Sequence, residues 1–116
     1  MLTCADNSGA KTLMIINKLG KQGHHKRMAG CGIGDLVIAS VKSGSPAYLK
    51  KTVRAVIIRQ RKEIRRANGM RVRFEDNAAM LVTEANLPVG TEVKGAMARE
   101  VVERYIKLAG IASRVI

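Results

Sequence analysis

The chain has no tryptophan, one phenylalanine and two tyrosines among 116 residues. Its core must therefore be aliphatic and methionine-filled, and the case for an aromatic platform that stacks successive bases of a single strand is weak. Only two cysteines are present, Cys4 and Cys31. Both sit in apolar or glycine-rich surroundings, which suits free thiols in a reduced compartment better than a disulfide framework. No apolar run approaches the roughly 18 residues of a membrane span, so no membrane partner is expected. The opening Met-Leu-Thr-Cys-Ala-Asp has neither a basic n-region nor an apolar h-region, so no secretory signal is expected. Acid is scarcest in the middle of the chain. Between Lys18 and Arg66 thirteen lysines and arginines face two acids, Asp35 and Glu63, which places eleven of the twelve net positive charges there. A field so concentrated attracts a polyanion, and the commonest polyanion in a cell is a phosphodiester backbone.

A hydrophobic content of 47% argues against disorder, and the length suits one domain spanning residues 1–116. The apolar segments are short and rich in valine, isoleucine and leucine. Residues 12–16, 36–41, 53–58, 71–74 and 79–83 each have a strand's length and are bounded by Gly, Asn, Asp or Ser. Leu36-Val-Ile-Ala-Ser-Val41 and Val53-Arg-Ala-Val-Ile-Ile58 read as continuous apolar runs, as in a small closed sheet. Arg71-Val-Arg-Phe74 alternates, placing arginines out and apolar groups in. The expected fold is mainly β, a small closed barrel over about residues 1–94, because closure removes exposed edges. Asp6-Asn-Ser-Gly9 and Glu75-Asp-Asn77 read as turns. Asn68-Gly69 marks a hairpin whose tip, residues 61–66, projects as a basic arm. After Gly95 the period becomes helical: Met97, Val101, Val102, Tyr105, Ile106 and Ala109 share one face, and Gly110 is a plausible stop. One helix packed on the barrel, or two short helices with a bend, both fit residues 95–116.

No enzyme signature survives inspection. His24, His25, Cys31 and Cys4 match no structural zinc spacing, which wants two close pairs, so neither metal nor cofactor is expected. Glu75 and Asp76 are adjacent, point to opposite faces of a strand and serve the turn reading better than general acid–base chemistry. Gly30-Cys-Gly-Ile-Gly-Asp35 lacks the Lys-Ser/Thr of a phosphate loop and leads into a strand, whereas a dinucleotide fingerprint opens a helix. Asp6 and Ser8 have no histidine in local sequence. The basic residues are another matter. One cluster is Lys18, Lys21, Lys26 and Arg27; a second is Lys42, Lys50, Lys51 and Arg54; a third runs from Arg59 to Arg66. Each stands at a strand end, and barrel closure is expected to bring them together. The candidate phosphate contacts are Lys18, Lys26, Arg27, Lys50, Lys51, Arg54, Arg59, Arg61, Lys62, Arg65 and Arg66.

Several words occur in a telling order: Ala5-Asp-Asn-Ser-Gly-Ala-Lys11, Gly32-Ile-Gly-Asp35, Val56-Ile-Ile-Arg-Gln-Arg-Lys62, Arg65-Arg66 before Asn68-Gly69, Phe74-Glu-Asp-Asn-Ala-Ala79, and Gly95 before Ala98-Arg-Glu100. With them the whole chain resembles the universal large-subunit ribosomal protein fourteen family, on its eukaryotic and archaeal branch. The resemblance implies a five-stranded barrel with a long basic hairpin and a short C-terminal helical region. It implies a structural component of the large subunit that binds large-subunit rRNA and faces small-subunit rRNA across the subunit interface. Neighbouring large-subunit proteins and an anti-association factor are the implied protein partners, docked through the C-terminal region. That region carries only a mild net charge, and Ala98, Arg99 and Val102 are the candidate docking residues, with Val101, Tyr105 and Ile106 covering the barrel. Ala96 and Met97 depart from the family's usual proline and valine, which frees φ and restores a backbone donor at this turn. Members usually carry more residues before the Ala-Asp-Asn word, so the first strand is expected to be short or completed by another chain. On composition alone, the competing reading is a free-standing single-strand binder of the OB type.

Overall fold

The apolar runs at 53–58 and 79–83 form neighbouring strands that are buried on both sides. In the computed structural model, which describes residues 2–18, 32–46 and 49–116, five strands close a barrel: β1 (Leu2–Cys4), β2 (Ala10–Lys18), β3 (Leu36–Gly44), β4 (Thr52–Arg59) and β7 (Ala78–Val82). All neighbours are antiparallel except β1 and β7, whose parallel pairing of Thr3 with Ala78 and Cys4 with Ala79 completes the closure. The barrel interior is filled by Leu2, Leu13, Val37, Ala39, Val41, Ala55, Ile57, Ala79 and Leu81, with the Cys4 side chain among them. Because side chains alternate along a strand, Val56, Ile58, Ala78, Met80 and Val82 point the other way. They join a second apolar cluster outside the barrel, with Val93, Met97, Ala98, Val101 and Leu108. A strand that serves two cores has no polar face, which is why Ala55–Ile58 and Ala78–Val82 are apolar throughout. β3 serves mainly one: although residues 36–41 read as a continuous apolar run, only Val37, Ala39 and Val41 are fully buried.

The outer core is roofed by the C-terminal region. β8 (Val93–Met97) pairs in parallel with β9 (Ala112–Val115), and between them run α1 (Arg99–Arg104) and a 3₁₀ turn (Ile106–Ile111). Two short helical pieces with a bend are thus what residues 95–116 contain, and a strand the period did not reveal closes the segment. The bend falls at Tyr105, whose φ of −129° and ψ of 81° leave the helical region. Past it the side chains advance three residues per turn, so Leu108 takes the buried place and Ile106 turns out to solvent at 77% exposure. The expectation that Ile106 covers the barrel is corrected on that ground. The 3₁₀ turn also runs through Gly110 to Ile111.

Residues 71–74 do not enter the barrel. β5 (Ile64–Arg65) and β6 (Arg71–Val72) form a separate two-stranded ribbon whose turn carries Asn68-Gly69, with Gly69 at a φ of 86°. The fifth barrel strand is instead the three-residue β1.

The Ala-Asp-Asn-Ser word fastens one barrel corner. Buried Asp6 accepts hydrogen bonds from Ser8 Oγ (2.7 Å), the Cys4 thiol (2.9 Å) and the Leu81 amide (3.0 Å). Asn7 Oδ1 accepts from the amides of Thr91 and Glu92, and Nδ2 donates to Thr91 Oγ1. A side chain at Gly90 would drive a Cβ to 2.6 Å from Asn7 Oδ1, so glycine is required for this approach.

Candidate nucleic-acid interface

Register places the basic clusters. β2 ends at Lys18 opposite Val37, near the start of β3, and β4 ends at Arg59 opposite Ala78. The ends of β2 and β4, and with β4 the hairpin, therefore share one end of the barrel. Lys50 and Lys51 lie in the turn between β3 and β4, at the opposite end, where Ala10 meets Gly44. The eight residues of β4 span about 25 Å. The expected convergence of three clusters is corrected: Lys50 and Lys51 of the second cluster stand a strand's length from the third, and Arg54 lies between them on β4. Lys26 and Arg27, with His24, His25 and Cys31, lie outside the described residues.

Within the hairpin cluster the arginines divide by partner. Arg59 is one of the least accessible cations, with its side chain 11% exposed. Its Nε lies 2.9 Å from Asp76 Oδ1, Nη2 reaches Oδ2, and Nη1 donates to the carbonyls of Lys94 and Ala96. Gly95 makes this possible: its φ is 81°, and a Cβ there would collide with the Arg59 guanidinium. Arg66, 15% exposed, grips Glu100 through Nε (3.0 Å) and Nη2 (3.1 Å) and donates to the Ile116 carbonyl. Both side chains are structural clamps. Each was expected to meet phosphate; here the fork of each is largely taken up by a carboxylate and carbonyls, and the side chain is mostly buried. Arg71 pairs with Glu63 on the exposed ribbon, and Arg104 reaches Asp35 at 3.6 Å and the Gly34 carbonyl at 2.9 Å.

Other predicted cations remain open to solvent. Arg61, Lys62 and Arg65 are exposed, as are Lys50 and Lys51; Arg54 is half-buried on β4. Lys50 adopts a φ of 64°, and its backbone N–H donates to the Val41 carbonyl, so the turn presents two adjacent lysines in a fixed bend. Arg61 is anchored at its inner edge, where Nε donates to the Glu75 carbonyl and its amide is received by Asn77 Oδ1. Arg73, not singled out from the sequence, is also exposed and shares an open cleft with Arg61, Phe74 and Glu75. The signal was present in the alternation of Arg71-Val-Arg-Phe74.

The glycine-rich word before β3 is not an anion cradle. Asp35 Oδ2 accepts the Gly32 amide at 2.6 Å, filling the loop with its own carboxyl. Among the described residues no group of three or more His, Cys, Asp or Glu comes together. Among the described residues, too, no helix is long and apolar enough to cross a membrane. The Cys4 thiol is pushed up to about 12, first by burial and then by its bond to Asp6. Burial also pushes the Glu100 carboxyl up, but the Arg66 hydrogen bonds and the charges of Arg66 and Arg99 outweigh it and hold it below its ordinary value.

Of the candidate docking residues, Arg99 is exposed and Val102 half-buried, while Ala98 is fully buried in the outer core. Ala98 opens α1, and its amide donates to the Ile58 carbonyl of β4, so its methyl points at the sheet. It is corrected from surface to core.

Comparison with known proteins agrees with the ordered words of the sequence. The family model for ribosomal protein L14p/L23e matches residues 1–116. The large ribosomal subunit protein uL14 of Methanoregula boonei is 51% identical over 115 residues, covering 99% of this chain and 87% of that protein. Its counterpart in Methanocella arvoryzae is 50% identical with the same coverage. That of Halorubrum lacusprofundi is 47% identical over 116 residues, covering all of this chain and 88% of its own. A match along the full chain, with relatives at half identity, has one reading: the chain belongs to the ribosomal protein L14p/L23e family, on its archaeal and eukaryotic branch, a non-enzymatic structural component of the large ribosomal subunit.

Proposed function

We propose that the chain binds large-subunit rRNA through the exposed cations at its two barrel ends and presents a surface to small-subunit rRNA across the subunit interface. The observation that carries this reading is the sorting of the arginines. Once those clamped by carboxylates are set aside, Arg61, Lys62 and Arg65 stay open on the hairpin and Lys50 and Lys51 on the opposite turn. Two separated patches fit a protein wedged between RNA segments better than one groove tracking a single strand. Lys18, Lys26 and Arg27 belong to the same proposal. Sedimentation is the direct test. The tagged chain is expected to stay with large subunits through a high-salt wash; recovery near the top of the gradient would favour the free-standing single-strand binder.

The C-terminal region is proposed as a protein-docking face centred on Arg99 and Val102, for a neighbouring large-subunit protein or an anti-association factor. Its support is the outward side of residues 99–106, where the apolar side chain of Ile106 is 77% exposed. With Arg99→Glu and Val102→Glu together, the chain is expected to enter large subunits yet lose such a partner in pull-down. Retention of every partner by a folded variant would place docking elsewhere.

A further inference from the structure

The cleft formed by Arg61, Arg73, Phe74 and Glu75 has a composition found nowhere else among the described residues. Phe74 is the chain's only phenylalanine, and it is half-buried: it packs against the outer core and also lines this opening. Arg61 and Arg73 flank it, and neither has a carboxylate partner, in contrast to Arg59, Arg66, Arg71 and Arg104. Arg61 is also oriented in advance. Its Nε is tied to the Glu75 carbonyl and its amide to Asn77, so its terminal nitrogens are held out without a bond to any described residue. The rim is shaped by the Phe74 amide, which donates to the Gln60 carbonyl at 3.0 Å and draws the two sides of the hairpin base together. The volume, about 340 Å³, lies at the low end for small-ligand sites.

We infer that this cleft captures a single unpaired nucleotide whose base carries an amino group. Each part of a nucleotide has a matching wall. The guanidiniums of Arg61 and Arg73 suit phosphate oxygens. The phenyl face suits a base, since aromatic stacking accepts any π-face. Glu75 supplies a carboxyl that accepts from an exocyclic amine, as acidic side chains do from cytosine N4, and that repels the carbonyl edge of uracil. A carboxyl beside two unpaired guanidiniums would weaken a site built for phosphate alone. Its presence is what points to a base as well. This inference rests on the RNA-binding reading and specifies one contact within it.

The test uses the full chain, fluorescence anisotropy and two labelled probes, hexacytidylate and hexauridylate, at several salt concentrations. Hexacytidylate is expected to bind at least about fivefold more tightly than hexauridylate, the lower limit for a good base-edge contact. Phe74→Leu keeps the packing volume but loses the π-face; it should weaken both probes by about fivefold or more with an unchanged salt slope. Glu75→Gln should abolish the preference between them. The inference is overturned if the parent shows no preference, or if both substitutions leave affinity and preference untouched. Large-subunit rRNA distinguishes the two readings. If it binds with a steep salt dependence that Phe74→Leu and Glu75→Gln do not alter, the cleft fails and the RNA reading stands; if it does not bind, the RNA reading itself fails.

Discussion

Asp6 shows how a residue in a conspicuous sequence word can be structural throughout. Its carboxyl gathers Cys4, Ser8 and the buried amide of Leu81, and so ties β1 to β7 where the barrel closes in parallel. Leaving such a buried donor unsatisfied costs roughly 1–3 kcal/mol. Asp6→Ala is expected to lower the unfolding free energy by about that much, measured in urea; an unchanged midpoint would show that the closure does not depend on it. Cys4 offers a second reading of the same corner. With its thiol pushed up to about 12 by burial and by Asp6, almost none is thiolate at pH 8. Peptide-resolved mass spectrometry after iodoacetamide should find Cys4 unmodified in the native chain and modified in denaturant. Comparable labelling in both would mean that the corner opens readily.

At the scale of elements, the Arg66–Glu100 pair joins the basic ribbon to α1, and the Ile116 carbonyl brings the end of β9 into the same grip. The hairpin is therefore not a free arm. Because the folded-state Glu100 carboxyl is held below its ordinary value, its stabilising contribution is present at neutral pH and is lost as pH falls through that lowered value. Hydrogen-exchange protection of the ribbon amides, Arg66 and Gly69 among them, is expected to drop as the solution is acidified below the usual carboxylate range. Glu100→Gln should show the reduced protection already at pH 7, while Glu63→Gln, in an exposed pair worth little, should leave it unchanged. Ribbon protection indifferent to Glu100 would contradict the clamp. The elements also mark where the sequence is legible. β4 and β7 announce themselves because two cores demand two apolar faces. β1 and β9 do not: they are three and four residues long, and Ala-Ser-Arg-Val has no period long enough to detect.

At the scale of the molecule, the charge that dominates the sequence is partly consumed by the fold. Arg59 and Arg66 read as phosphate ligands because their acids are remote, Asp76 by 17 positions and Glu100 by 34, and local sequence gives no sign of such pairing. The same remoteness hid the separation of Lys50 and Lys51 from the hairpin, since strand ends are only assigned to one end of a barrel once register is known. The barrel, the Asn68-Gly69 turn and the basic character of the surface were legible; the separate ribbon and which cations face outward were not. The central claim is that exposure divides RNA-binding cations from structural ones. Its most direct measurement is the dependence of large-subunit rRNA affinity on salt for two variants. Replacing Arg61, Lys62 and Arg65 together by Ala is expected to reduce the slope of log K against log salt by roughly 2–3, at about 0.7–0.9 for each phosphate no longer neutralised. Arg66→Ala should lower stability and leave the slope of the folded protein unchanged. The contradicting result is the reverse: a slope indifferent to the three exposed cations, or one that falls with Arg66.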